Sequence, residues 1–274
     1  MTSSVYDRES TLQLIGMVED VPSLPDRYAA IQEVLDDPNS SAAQLAEVIG
    51  TDQATTAMIL KFANSPFYLP TNQRITTLPQ AIARMGTKEA GQIALTMSLL
   101  YGFAIPGGMG AIRAFWAHAF AVALLAKHMA RLLGLNADEL FVSGLLHDIG
   151  RAILGIRVDM GYFEGPLARL TGDALITAER GTYGVDHAEA GDAILKLWNI
   201  PEAVRAPIAA HHAPRPESMA AHVLQLADAE AHLRLPHAAD IESAPQYLLE
   251  RPERVREILV NEGLLPEEDE PSEN

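Results

Sequence analysis

The chain reads as an all-α protein, and three observations carry that reading. Alanine and leucine are abundant, aromatic residues make up only 6% of the total, and no run alternates apolar and polar residues at the strand period. At 274 residues and 48% hydrophobic, the chain can bury a core sufficient for one large domain or two lobes.

After an arm at 1–11, a first helical lobe is expected over 12–105. Val21-Pro-Ser-Leu-Pro25 makes an extended entry, with Ser23 able to cap and Pro25 suited to a first helical turn. The helix it opens runs to Asp36 on Tyr28, Ile31, Val34 and Leu35, and Asp37-Pro-Asn-Ser40 stops it. Ser41 and Gln44 resemble a capping box for a second helix, whose stripe of Leu45, Val48 and Ile49 ends at Gly50. A third helix spans Asp52 to Ala63, and Asn64-Ser-Pro-Phe-Tyr68 breaks it. Thr77 caps the next, through Gln80 to Met85, and another apolar helix covers Lys88 to Tyr101. The helices flanking Gly50 have the outline of a helix-turn-helix, with Gln53, Thr55, Thr56 and Lys61 on its second member. Lys61 is the only base there, whereas groove readers surround such a helix with phosphate-neutralising side chains, so core packing explains the pattern equally well.

Charge and composition narrow the function. The excess of 36 acidic over 20 basic residues gives a formal charge of −16, which opposes attraction to phosphate backbones and makes nucleic acid an unexpected partner. With no cysteine, disulfides, thiolate zinc sites and cysteine nucleophiles are excluded together, and any metal must be held by histidine and carboxylate. No run is both apolar and uncharged over a membrane span, and the first residues have no leader pattern, so a cytoplasmic location without membrane contact is expected.

Several of these segments together carry a resemblance. Leu24-Pro25, Asp36-Asp-Pro38, Leu45-Ala-Glu-Val-Ile49, Asn64-Ser-Pro-Phe-Tyr68 and Gln80-Ala-Ile82 through Met85-Gly86 look like the signature of the HDOD family, in the family's order, from about Leu12 to His212. That resemblance implies a bacterial signalling output module, with a helical first lobe packed on a second lobe related to HD-type phosphohydrolases. It also implies a protein signalling partner or a small phosphorylated ligand.

Pro106-Gly-Gly-Met-Gly110 marks a joint, 106–111, before the second lobe at 112–235. A long helix follows from about Arg113 to Leu133, closed by Gly134, with Phe115, Val122, Leu125 and Met129 on one side. His118 shares that side, two helical turns from Leu125, while His128 is rotated off it and is expected at the surface. Phe141 to Arg151 then offers His147 beside Asp148 from an apolar helix, a pairing that suits either a divalent cation or an aspartate cap beside a locally bonded histidine. Asp186 caps a helix that starts with His187, with Glu189 in the reciprocal position and Ile194, Leu195 and Trp198 as its apolar face. A further helix starts at Pro201, bends at Pro207 and reaches His211-His212, and Asp228 sits on an apolar helix face.

Singly, each of these groups reads as structural. As a set, His118, His147, Asp148, His187, His211, His212 and Asp228 resemble the metal-ligand order of HD-superfamily phosphohydrolases and of the HD-GYP phosphodiesterases. The resemblance implies one or two divalent ions, from Fe, Mn, Zn or Mg. In a working phosphohydrolase it further implies Asp148 and Arg151 as catalytic residues, with Arg151, His211 and His212 on substrate phosphate. Two departures weaken a cyclic-dinucleotide reading. Arg151 stands where HD-GYP enzymes have lysine, and Ala213-Pro-Arg-Pro216 follows the histidine doublet in place of their naming motif. Arginine can clamp phosphate but does not donate a proton at neutral pH. Beyond the lobe, a helical extension is expected at 236–265, on Tyr247-Leu-Leu-Glu250 and Val255 to Val260, followed by a disordered acidic tail at 266–274.

Overall fold

The computed structural model describes residues 6–16, 26–64, 68, 74–101, 108–234 and 252–266, and every regular element among them is helical. Expectations placed on Ser23, Pro25, 65–67, 106–107, Tyr247 and 267–274 lie outside the described residues. The divide expected at residue 12 falls inside one helix, α1 (Arg8–Gly16). This helix packs on the second lobe, where Thr11 Oγ1 donates to the Tyr183 carbonyl at 2.7 Å and Tyr6 Oη to that of Val158 at 2.9 Å.

The first lobe is built from α2 (Asp26–Asp36), α3 (Ala42–Gly50), α4 (Gln53–Ala63), α5 (Leu78–Met85) and α6 (Thr87–Tyr101). Its core joins Ile31, Leu45, Ile49, Ile59, Phe62, Ile82 and Ile93, the periodic residues of each helix. The capping box is present, since Ser41 Oγ accepts from Gln44 N and Gln44 Oε1 from Ser41 N. Thr77 occupies the N-cap of α5 without a side-chain bond, and a proline in the first turn sets that start instead. Thr55 and Thr56, which a groove reader would present outward, bond Asp52 and the Ile49 carbonyl at the α3–α4 corner.

In the second lobe, α7 (Gly108–Leu132) and α8 (Ala137–Leu146) form an antiparallel hairpin. The expected joint is shorter than its sequence suggests, because α7 already begins at Gly108; about 1 kcal/mol lost per helical glycine is small beside the packing of a 25-residue helix. His128 is partly buried, not a surface residue. A short α9 (Ile149–Ile153) runs into a π-helical turn (Leu154–Val158) and a 3-10 turn (Pro166–Arg169), then α10 (Gly172–Tyr183), α11 (His187–Leu197), α12 (Glu202–Ala210) and α13 (Met219–Arg234). Helix α14 (Pro252–Asn261) buries Val255, Ile258 and Leu259 and packs on α7. Between the lobes, Lys127 of α7 is buried and pairs with Glu89 of α6 at 2.9 Å, beneath the Phe141 ring.

Two close approaches place the second lobe's helices. A Cβ on Gly144 would fall 2.5 Å from the Ala123 Cα, and one on Gly150 would fall 1.8 Å from the His187 carbonyl. Gly150→Ala is therefore expected to force α9 from α11 and to destabilise the protein by about 3 kcal/mol or more, whereas Gly181→Ala in α10, with open space around it, should stabilise it by about 0.5–1 kcal/mol. Urea unfolding of both variants checks this, and equal stability of Gly150→Ala and wild type would refute the tight α9–α11 contact.

Candidate metal centre

Four histidines of the site stand at helix ends, which is how so many polar groups reach one place inside an apolar lobe. His147 is the C-cap of α8 and Asp148 the N-cap of α9, so the break between the two helices turns both side chains inward. His187 opens α11 after Asp186, whose carboxylate accepts from Glu189 N as expected; Glu189 itself ion-pairs with Arg8. Pro207 lies inside α12, which ends at Ala210 with His211 as its C-cap and His212 next. His118 and Asp228 come from within α7 and α13.

The structure brings all seven predicted groups together. His118 Nε2 lies 3.0 Å from Asp228 Oδ1, and His187 Nε2 lies 3.2 Å from Asp148 Oδ1. His147 Nε2 sits between the carboxylates, 3.6 Å from an oxygen of each, and His212 Nε2 is 2.7 Å from His187 Nε2. Three imidazoles are anchored through Nδ1, which donates to the Gly144 carbonyl at 2.8 Å in His147, to that of Ile208 at 2.7 Å in His211, and to Glu179 Oε2 at 2.8 Å in His187. Each leaves Nε2 for the cluster, and the Nε2 atoms of His147 and His211 are buried with no hydrogen-bond partner. Asp148 makes no capping bond to α9; it faces these histidines and Arg151 Nη1, 3.1 Å away. The arrangement suits a cation, since buried polar atoms are normally satisfied and Nδ1-anchored imidazoles are what metal ligation requires.

Three members of the site were not read from the sequence. Glu179, fully buried on α10, accepts from both the backbone and the ring of His187, and Tyr162 Oη donates to its other oxygen. Arg151 Nε in turn donates to Tyr162 Oη at 3.3 Å, so the guanidinium, 15% exposed, is held at the rim by Asp148 and Tyr162. In the sequence, Glu179-Arg180 looks like any solvated charge pair. His232 had a readable signal, four residues after Asp228 and hence on the same helix face, and its Nδ1 lies 2.9 Å from Asp228 Oδ1.

A model of the HDOD domain matches residues 21–214, more than half of the chain. The chain belongs to the HDOD family. Its fold is that of the HDOD protein of Geobacter sulfurreducens, with a TM-score of 0.64 at 24% identity over 95% of this chain and 100% of that one. A Shewanella amazonensis SB2B protein, whose name proposes a metal-dependent phosphohydrolase, shares the fold with a TM-score of 0.58 at 23% identity, covering 93% of this chain and 96% of its own. An uncharacterized protein of Treponema pallidum is 28% identical over 207 residues, which are 71% of this HDOD chain but only 38% of that relative's length. A stretch of 36 residues is 61% identical to ribonuclease Y of Thermotoga maritima, 13% of this chain and 7% of that enzyme.

The electrostatics of the HDOD cluster follow from burial and from two carboxylates. Burial opposes protonation of His147, but Asp148 and Asp228 outweigh it and raise its pKa to about 9. Burial keeps His118 and His211 neutral below the usual histidine range, and burial with His187 nearby lowers His212 to about 4. Burial also opposes ionisation of Asp148 and Asp228, yet the surrounding histidines hold both well below the usual carboxylate range. His232 is raised by Asp228, against its burial. For the lowered histidines, the unfolded chain takes protons near pH 6.5 that the fold refuses until lower pH, so their stabilisation is lost as pH falls below about 6.5, for His212 down to about 4. For His147 the sign reverses, its stabilisation being full below about 6.5 and lost as pH rises through about 9. Unfolding of metal-free protein is thus expected to show a stability maximum near pH 6.5, with His212→Gln flattening the acid limb. A monotonic rise of stability to pH 9 would contradict this balance.

Proposed function

We propose that this chain is a bacterial HDOD signalling module that binds one or two divalent cations in its second lobe. The observation that carries the reading is the set of Nδ1-anchored imidazoles whose Nε2 atoms converge with Asp148 and Asp228, two of those nitrogens being buried without a hydrogen-bond partner. The predicted ligands His118, His147, Asp148, His187, His211, His212 and Asp228 all border this space. Nitrogen and carboxylate donors suit Fe, Mn or Zn, and Mg through the carboxylates. In the metal-free state the proton on His147 supplies part of the positive charge, so cation uptake displaces it. The module would act on a protein partner or a small phosphorylated ligand, with the cation holding the helix ends in place.

A second reading, a metal-dependent phosphohydrolase, is favoured by the way the cluster reaches solvent. Side-chain exposure rises from none at His147 to 34% at His232, which gives a phosphate ester a way in. When bound, the cation supplies Lewis acidity toward a phosphoryl oxygen. Asp148 and Arg151 would then position the reacting groups, and Arg151, His211 and His212 would hold phosphate oxygens. Its likeness to the named phosphohydrolase and ribonuclease Y supports the reading only through shared fold and a short shared stretch.

The test is a pair of variants. At free manganese or zinc of 100 times the dissociation constant, wild type is expected to gain about 2.7 kcal/mol in stability, Asp148→Ala nothing, and His128→Ala as much as wild type. Metal analysis and thermal melts read this out. Unchanged metal content in Asp148→Ala, or no metal and no thermal shift in wild type, would end the metal reading and the hydrolase with it.

A further inference from the structure

With 36 acidic residues against 20 basic, bases in this chain have carboxylates to meet, and Arg8, Arg27, Lys88 and Arg205 each pair with one. Two arginines of the first lobe do not. Among the described residues, Arg74 makes no hydrogen bond or ion pair, and Arg84 donates only to the Tyr68 carbonyl, from Nη1 at 3.0 Å. Both line one cavity of about 320 Å³, together with Ile75, Gln80 and Ala83.

The walls of this cavity are fixed by bonds of their own. Gln80, Ala83 and Arg84 stand three and four residues apart, on one face of α5. Arg84 is held by the carbonyl of Tyr68, whose buried side chain donates in turn to Glu89. That bond occupies one nitrogen of the guanidinium and leaves the rest of its fork. Beside Arg74, the backbone of Ile75 is clamped to Asn64 after α4: Ile75 N donates to Asn64 Oδ1 at 2.8 Å, and Asn64 Nδ2 to the Ile75 carbonyl at 2.7 Å. Gln80 Oε1 accepts from Thr76 N at 3.3 Å, so its Nε2 remains as a further donor.

We propose that this cavity binds the phosphoryl group of a small molecule, with Arg74 and Arg84 as charged donors, Gln80 as a neutral one, and Ile75 and Ala83 against the body of the ligand. The polar groups left over are all donors, which calls for an anion, and two guanidinium charges match a phosphomonoester dianion. The volume is at the lower end of small-molecule sites, whereas a stable protein interface needs about 800 Å² on each partner. Because Arg84 is already held, binding orders less of the protein than two free side chains would require. The site uses none of the metal ligands and stands independently of the metal reading. Two arginines solvated side by side, with no ligand, are the alternative to be excluded.

The experiment uses the full chain, stripped of metal and freed of chelator. Inorganic phosphate and phenyl phosphate are titrated at fixed ionic strength and read by phosphorus NMR line broadening. Both are expected to saturate, phenyl phosphate about fivefold more tightly because its ring covers Ile75 and Ala83. Arg74→Gln and Arg84→Gln should each weaken both by about tenfold or more. Arg169→Gln, which removes an equal charge from an exposed turn of the second lobe, should leave both unchanged. Arg84→Gln gives up the bond to Tyr68, but Arg74→Gln breaks no contact among the described residues and carries the test if the other variant fails to fold. No saturable binding in wild type, or full binding in folded Arg74→Gln, would overturn the site. Acetate bound as tightly as phosphate would overturn the phosphoryl assignment, and equal affinity for the two phosphates would overturn the role of Ile75 and Ala83. None of these outcomes bears on the metal centre, whose residues lie in the second lobe.

Discussion

A carboxylate taken out of water has to be compensated, and the second lobe is organised around two, Asp148, which is buried, and Asp228, which is mostly so, with His147 Nε2 3.6 Å from an oxygen of each. The neighbours that compensate them come from α7, α8, α9, α11, α12 and α13, so helices distant in sequence are tied to one small volume. In the metal-free protein the compensation is partial: Arg151 and a raised His147 carry positive charge, while His118, His211 and His212 stay neutral because burial wins over attraction. The Nε2 atoms of His147 and His211 have no hydrogen-bond partner in this place, a bonding capacity that the protein alone does not use.

The backbone around this volume is shaped to let the groups meet. Gly150 allows α9 to lie against the first turn of α11, which sets Asp148 beside His187, and Gly144 allows α8 to lie on α7, which sets His147 opposite His118. Behind His187, the chain Arg151–Tyr162–Glu179 fixes the ring's tautomer from a distance and couples the rim of the site to its centre. Among the described residues, the first lobe contributes no group to the cluster, but Glu89 pairs with the buried Lys127 on the far side of α7, the helix that carries His118.

Much of this was legible in the sequence where one residue type has one dominant meaning. The Ser41–Gln44 box, the Asp186 cap and the closing Gly134 sit where local chemistry places them, and Gly134 takes the positive φ that such an ending needs. The seven groups that meet in the second lobe were legible only as a set, through its resemblance to the ligand order of HD-superfamily phosphohydrolases, since each singly reads as structural. What stayed hidden depends on three-dimensional context. Glu179 is spelled like a surface charge and becomes buried only when α10 folds over α11's first turn. Thr77 offers a hydroxyl that goes unused because a proline sets the start of its helix. The glycines 108–110 read as a joint, yet the length of α7 carries the helix through them. His128 was separated correctly from the site by helical phase, but phase does not reveal that a neighbouring element partly covers it.

The central claim is that Asp148 and the Nε2 atoms of His147, His187 and His211 border a cation. The measurement that bears on it most directly is anomalous diffraction from crystals of the full chain grown with manganese or zinc, collected on both sides of the metal's absorption edge. The account predicts an edge-dependent peak within about 2.0–2.3 Å of Asp148 and of at least two of those Nε2 atoms. Strong peaks confined to surface histidines, with the interior cluster empty and His147 still directed between its two carboxylates, would contradict it.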